Sequence, residues 1–391
     1  MSTWRYLNNL KSGSKGYRRN QFSRRQFLVF ALVFAAVGGI VIWRSLAVPN
    51  PNLQGDLNGD NTVNIQDLSI LLSNYGTSSS TADINGDGTV SILDLSTLLS
   101  HYGQSYTPPS TSTIPNNLGV MGQPAPSWTD STKWRSDSST LLSQLYSANT
   151  GASDLAVTGY GIAYVKATLS DPQVTVTNTN GWGTNPGTTS FRAPSAAKPA
   201  AGSDAHLAVE QPDGSVVEMW QAAKSGTNWT AGAVAVAKAG QYFYTIAGCR
   251  GSSLTLASGI VTPQEVKAGA ISHVLSVSLP ASVVSKSFVF PSYSSDGTLT
   301  GGIPEGARLV LDPSYDISSL TGLKKMVAQA LKTYGMIVVD RTGTDIEIDA
   351  QAPESWTAFG QPDPWASQGI SGYPDLGIKE LVTHMKVAIS N

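Results

Sequence analysis

Residues 55–76 read GDLNGDNTVNIQDLSILLSNYG, and residues 82–103 read ADINGDGTVSILDLSTLLSHYG. Asp56 of the first stretch aligns with Asp83 of the second, and every later acid keeps that offset. The chain as a whole is only 13% charged, yet residues 48–105 hold six acids and no Lys or Arg. All six stand in register: Asp56, Asp60 and Asp67 in one copy, Asp83, Asp87 and Asp94 in the other. Acids placed twice in the same pattern, with no cation nearby in the sequence, call for positive charge from outside the chain.

In the twelve-residue window that starts at Asp56, oxygen-bearing residues fall at positions 1, 3, 5, 7, 9 and 12: Asp56, Asn58, Asp60, Thr62, Asn64 and Asp67. The second window repeats them as Asp83, Asn85, Asp87, Thr89, Ser91 and Asp94. This is the ligand spacing of an EF-hand calcium loop, in which Thr62 and Thr89 would offer a main-chain carbonyl and position 9 often acts through water. Two loops predict two Ca2+ ions. Position 6 must turn with positive φ, which Gly88 adopts freely and Asn61 at some cost. Val63 and Val90, at position 8, are expected to pair across a short strand or to pack inward. After each loop Leu68, Leu71, Leu72 and Tyr75, then Leu95, Leu98, Leu99 and Tyr102, recur on one helical face, stopped by Gly76 and Gly103. Asn50-Pro51-Asn52-Leu53-Gln54-Gly55 forbids a helix before the first loop. Each unit is therefore a loop with an exiting helix only.

These half-hands, with Asp rather than Glu at position 12 and a Leu-Leu-Ser-x-Tyr-Gly ending, resemble type I dockerins over residues 53–104. The resemblance implies a small all-α pair of calcium loops (F-hands) through which bacterial glycan-degrading enzymes plug into cohesin domains. In dockerins, loop positions 10 and 11 help choose the cohesin. Here they are Ile65 and Gln66, then Ile92 and Leu93, rather than the familiar Ser-Thr. The pair is expected to meet a cohesin-like domain or to pack against its own chain.

Residues 1–26 carry seven Lys or Arg and no acid, and residues 27–43 follow without a charge. This is an export segment: residues 1–47 read as a basic cytoplasmic stretch plus a hydrophobic signal or transmembrane helix. Seventeen residues are short for a bilayer span and slightly long for a leader core. Ser45-Leu46-Ala47 offers small residues for leader cleavage, whereas the basic flank would hold an uncleaved helix with its N-terminus inside. Ser23-Arg24-Arg25-Gln26-Phe27-Leu28 also resembles a twin-arginine signal. Either way the remainder is expected outside, extracellular or at the cell surface, and membrane-anchored if the leader stays. No later stretch suggests a nucleic-acid surface, and a single cysteine, Cys249, excludes an intrachain disulfide.

A Pro/Ser/Thr-rich linker over residues 105–123 separates the repeat from a second domain expected over 124–391, making the chain multi-domain. Short β-branched and aromatic runs alternate with turns at 154–165, 173–178, 206–211, 216–222 and 273–279. They predict a large, mainly-β sandwich or jelly-roll-like domain. One packed helix is expected where Leu320, Leu323, Val327, Ala330, Leu331 and Tyr334 share a face. Residues 336–340 and 346–349 would then close a hairpin around Thr342-Gly343.

Asp204-Ala205-His206, Val217-Glu218, His273-Val274 and Lys332-Thr333-Tyr334-Gly335-Met336 are similar to motifs of an uncharacterised family of exported bacterial proteins. That grouping assigns no chemistry. A hairpin through Pro212-Asp213-Gly214 would put Asp204 and His206 on one face with Glu218 near them. With His273 they form the candidate catalytic set, suited to acid–base work on a glycan or to metal binding, or else a polar cluster that supports the sheet. Trp182, Trp220, Trp229, Trp356 and Trp365 are candidate sugar-stacking or core residues. No Gly-x-Ser-x-Gly elbow supports a serine nucleophile. The expected function is polysaccharide binding or breakdown in an exported calcium-binding protein, by hydrolysis of O-glycosyl bonds, with a glycan-active hydrolase or lyase as the enzyme classes in view. The rival from another class is a non-catalytic adhesion or envelope-binding protein.

Overall fold

The computed structural model describes residues 53–58, 62–104, 114–151 and 154–389. The expected signal or membrane helix at 27–43 lies outside these residues, as do Asp60, Asn61 and residues 105–113 of the linker. Among the described residues no helix is long and apolar enough to cross a membrane. The chain divides into two units, Met1–Tyr106 and Thr107–Asn391.

In the first unit, α1 (Ile65–Ser73) and α2 (Ile92–Ser100) each begin at a capping box. Asn64 Oδ1 accepts from the Gln66 amide at 2.7 Å, and Asp67 Oδ2 accepts from the Asn64 amide at 2.9 Å. Ser91 Oγ and Asp94 Oδ2 repeat the pair at 3.1 and 2.7 Å. Such a box satisfies amides that a first helical turn leaves open. Beyond each helix the chain turns through Gly76 (φ +79°) and Gly103 (φ +82°), a left-handed conformation that favours glycine.

Val63 and Val90 do not pair with each other. Each meets the end of the other copy: the Gly76 amide donates to the Val90 carbonyl and the Gly103 amide to the Val63 carbonyl, both at 2.8 Å. The Val90 and Val63 amides donate to the carbonyls of Thr77 and Gln104 at 2.8 and 2.9 Å. Two equivalent halves thus exchange equivalent bonds, a pseudo-twofold arrangement written by the repeat itself. Leu71, Leu98, Val63, Val90 and Ala82 are wholly buried at its centre. Of each expected helical face only Leu71 or Leu98 reaches full burial, while Leu72, Tyr75, Leu99 and Tyr102 are exposed. Among the described residues no third layer covers the two short helices, so they bury one another on one side only.

Among the described residues of the second unit, mixed sheets dominate. The first has the order β1 (Leu155–Ala156), β14 (Glu347–Asp349), β9 (Leu275–Pro280), β13 (Met336–Thr342), β12 (Arg308–Leu311), β15 (Met385–Val387). The second has the order β2 (Ala163–Lys166), β5 (Leu207–Glu210), β6 (Val216–Trp220), β8 (Asn228–Ala237), β3 (Gln173–Trp182), β4 (Thr188–Arg192), with β7 (Ala223–Ser225) also on β8. A short parallel pair joins β10 (Val284–Phe288) to β11 (Ile303–Glu305).

The region is β-rich as expected, but it is not a jelly roll, which is antiparallel. Here β1–β14, β9–β13, β2–β5 and β3–β8 are parallel. Residues 154–165 do not form one strand. The turn at Thr158-Gly159-Tyr160-Gly161 sends Leu155–Ala156 to the first sheet and Ala163–Lys166 to the second. The expected hairpin of 336–349 is likewise absent, because β9 lies between β13 and β14. The β5–β6 hairpin does form, with Leu207 opposite Met219 and Glu210 opposite Val216.

Alternation along the strands sorts the packing. Leu275, Val277, Met336 and Val338 face a core shared with α3 (Ser138–Ala148), the expected helix α5 (Gly322–Thr333) and α6 (Ile378–Val382). Ile337 and Val339, on the opposite face of that sheet, pack with Leu254 and Met121. One face of the second sheet, with Tyr164, Ala208, Ala233 and Ala235, packs on Tyr244, Cys249, Leu256 and Ile260. The irregular segment 244–260 is therefore a filling between the two sheets. Buried Arg250 satisfies it from within, donating to the carbonyls of Thr255, Leu256 and Ser258 at 2.8, 2.9 and 3.2 Å. Ile114 and Met121 are buried here as well, so residues 114–121 of the stretch read as linker contribute to this core.

Candidate functional site

The second calcium loop is held by its own side chains. Asp83 accepts the amides of Gly86 (2.8 Å), Asp87 (3.2 Å) and Gly88 (2.8 Å); Asn85 accepts that of Asp87 (2.9 Å), and Asp87 that of Thr89 (3.0 Å). These bonds fold the chain inward at Gly88, whose φ is +90°. Asp94 closes the loop: its Oδ1 accepts the Ile84 and Asn85 amides at 2.8 and 3.1 Å. Asp67 does the same for Leu57 and Asn58, at 2.8 and 3.1 Å. Both closing carboxylates are wholly buried. Burial pushes the Asp94 carboxyl up, but the amides of Ser91, Asn85 and Ile84 outweigh it and hold the group below the usual carboxylate range.

The donor set fits a calcium ion. Asp83, Asn85, Asp87 and Asp94 with the Thr89 carbonyl, and Asp56, Asn58 and Asp67 with the Thr62 carbonyl, are all-oxygen and carboxylate-rich, as a hard cation demands. Asp60, the remaining carboxylate of the first loop, lies outside the described residues. Asn64 and Ser91 use their side chains as helix caps, which leaves position 9 a contact through water. The pair also carries a duplicated apolar surface: Ile65 and Ile92 are 64% and 61% exposed, flanked by Leu93 and by exposed leucines and tyrosines of both helices.

In the second unit the four expected catalytic residues separate. Asp204 and His206 come together, lining a cavity of about 330 Å³ with Arg250, Glu347 and Asp349. A neighbouring cavity of about 470 Å³ shares Asp204 and Arg250 and is walled by Trp182 and Trp220. Those two rings stack at 5.4 Å and 27°, and Trp220 Nε1 donates to Asp204 Oδ1 at 3.1 Å. Burial lowers the His206 imidazole to about 4, against the pull of Asp204 and of the Cys249 main chain, so the ring is neutral at pH 7.

Glu218 lies deeper, wholly buried, with Oε2 accepting from the Tyr244 hydroxyl at 2.9 Å and Oε1 from the Leu256 amide at 2.8 Å. Burial raises it to about 7 against those bonds and Arg250. It pins the filling segment to the sheet. His273 belongs to another cluster, against α4 (Pro263–Ala268): its Nε2 is 2.9 Å from Glu265 on that helix and 3.0 Å from Asn116, and its Nδ1 is 2.8 Å from the Val274 carbonyl. It does not line either cavity. The tryptophans divide too: Trp229, Trp356 and Trp365 are core, while Trp182 stands 58% exposed at the cavity.

Sequence reasoning missed the strongest electrostatic feature. Asp204, Asp296, Asp340, Asp345, Glu347 and Asp349 line the two cavities against only Arg250 and Arg341. Arg250 is committed to Asp349 at 2.6 Å and Arg341 to Asp296 at 2.7 Å. Burial raises Glu347 to about 8 and Asp340 to about 7, and neighbouring carboxylates add to both. The available signal was faint: Asp340 and Glu305 are acids set against apolar strand runs.

Residues 54–102 match the dockerin type I domain family, so this stretch is a dockerin module; type I dockerin domains bind calcium. Among solved structures, the type II cohesin-dockerin domain from Bacteroides cellolosolvens is 36% identical over 14% of this chain and 92% of that chain, with a TM-score of 0.14. No curated protein matches the chain.

Proposed function

We propose that this is an exported protein whose first unit, folded around two calcium ions, docks onto a cohesin-like domain and thereby stations the β-rich unit at a polysaccharide. The observation that carries docking is the duplicated apolar surface around Ile65 and Ile92, exposed on a module too small to need it for its own core. Because the halves are equivalent, either face presents nearly the same surface. The test is binding of the full chain to immobilised type I and type II cohesins. Capture in calcium that is lost on chelation supports the reading, and so does loss of capture only when Ile65→Asp and Ile92→Asp are combined. Capture of neither type, in calcium, overturns it.

For the β-rich unit, the stacked Trp182 and Trp220 beside Asp204 support polysaccharide binding or breakdown: aromatic faces stack on sugar rings, and the neighbouring carboxylates and the neutral His206 suit acid–base work. Asp204 and His206 are the residues we assign to it, with Glu218 and His273 supporting the fold. A glycan array with product detection separates binding from hydrolysis, and Trp182→Ala should abolish either signal without moving the thermal midpoint.

A further inference from the structure

We propose that Asp296, Glu305 and Asp340 hold one hard divalent cation of the calcium class beside the tryptophan-walled cavity, at a site independent of the dockerin loops. One carboxylate oxygen from each of the three lies within 4.8 Å of the others. Calcium–oxygen distances of about 2.3–2.6 Å allow three such oxygens to share one ion. Glu305 ends β11 and Asp340 lies on β13, so two of the three ligands stand on strands.

Glu305 points to a ligand on independent grounds. Its side chain is wholly buried, and neither Oε1 nor Oε2 has a partner at hydrogen-bond geometry; its nearest polar neighbour is Asp296, whose main chain pulls the group down only slightly and whose own carboxyl, with Oδ1 buried and unpaired, can bond it only by sharing a proton. An uncompensated buried carboxylate is among the costliest groups a protein can carry. Neither nearby arginine relieves it, since Arg341 Nε bonds Asp296 Oδ2 and Arg250 bonds Asp349. The backbone is shaped around the open oxygens: a Cβ at Gly251 would meet Asp296 Oδ1 at 2.7 Å and Glu305 Oε1 at 2.9 Å, while the Gly251 amide orients Asp340 through Oδ2 at 3.1 Å. Asp296 and Asp340 line the 470 Å³ cavity, which gives an ion a way in. With oxygen donors alone, the set selects a hard ion over zinc or copper. Without a cation the group must keep a proton, and burial, aided by Asp296 and Asp340, pushes Glu305 up to about 11.

Terbium, a luminescent stand-in for calcium, tests the site in the full chain. Excited through tryptophan, its emission is assigned by the variants, because Glu305→Gln and Asp340→Asn leave every dockerin-loop ligand in place. The expected result is saturable emission from the chelator-stripped protein, competed by calcium and lost in both Glu305→Gln and Asp340→Asn. If Glu305→Gln does not fold, Asp340→Asn decides alone. No saturable emission, or emission unchanged in the folded variants, would overturn the proposal and leave a shared proton in the ion's place.

Discussion

Asp94 and Glu305 are both wholly buried carboxylates, and their surroundings differ in every other respect. Asp94 accepts amides from its own loop, within ten residues along the chain, and stays ionised for that reason. Glu305 has no partner at hydrogen-bond geometry and faces two further carboxylates, Asp296 from the loop just before β11 and Asp340 from the separate strand β13. Local backbone can compensate a buried charge at fixed spacing, so the dockerin loops repeat. Compensation assembled from separate strands has no spacing to repeat.

The largest effects should fall on the dockerin core, where the comparison is sharpest between its own two halves. Leu71→Ala and Leu98→Ala should each destabilise the calcium-loaded module by about 2–5 kcal/mol, because each removes a fully buried side chain from one small core. Equivalent halves predict near-equal losses, measured by calcium-loaded denaturation of each variant. A large difference would break the pseudo-twofold account.

A smaller effect separates the two acidic regions by pH. In cation-free protein, Glu305, Glu347 and Asp340 are raised by burial to about 11, 8 and 7, so the folded unit holds protons that the unfolded chain has released. A raised carboxyl contributes stability that is full below its unfolded value and lost as pH rises through its folded value. His206, lowered to about 4, is neutral in both states well above its ordinary value of about 6.5 and adds no slope there. Between about pH 7 and 8.5 the second unit should therefore lose on the order of 1 kcal/mol per pH unit. Calorimetry in chelator checks this, and a midpoint that rises with pH would contradict it. Glu305→Gln should flatten the slope.

The smallest effect lies within one loop. Asp83→Ala should weaken calcium binding more than Asn85→Ala, since it removes a charge and the acceptor of three amides rather than a neutral ligand. Equal losses in a calcium titration would argue against the loop register.

Most of the dockerin module was legible in the sequence, because its ligands, caps and core leucines recur at fixed local offsets. In the second unit periodicity placed β5, β6 and α5 well, since it reports which face of an element is apolar. It does not report neighbours. Nothing in residues 336–349 announces that β9 enters between β13 and β14, and each strand reads the same beside either partner. The cleft was illegible for the same reason: Asp204, Arg250, Asp296, Glu305 and Asp349 meet only through that topology. His206 and Asp204 were found because they are adjacent in sequence, whereas joining His273 to them assumed a shared face that the chain does not have.

The central claim, a calcium-folded module beside a unit that does not need the loop calcium to fold, is tested most directly by amide hydrogen exchange on the full chain with and without chelator. The account predicts that chelation abolishes protection at Leu71 and Leu98, because six carboxylates in residues 48–105 repel one another without the ion, while β5, β6 and α5 stay protected. Protection at Leu71 and Leu98 that survives complete removal of calcium would contradict it.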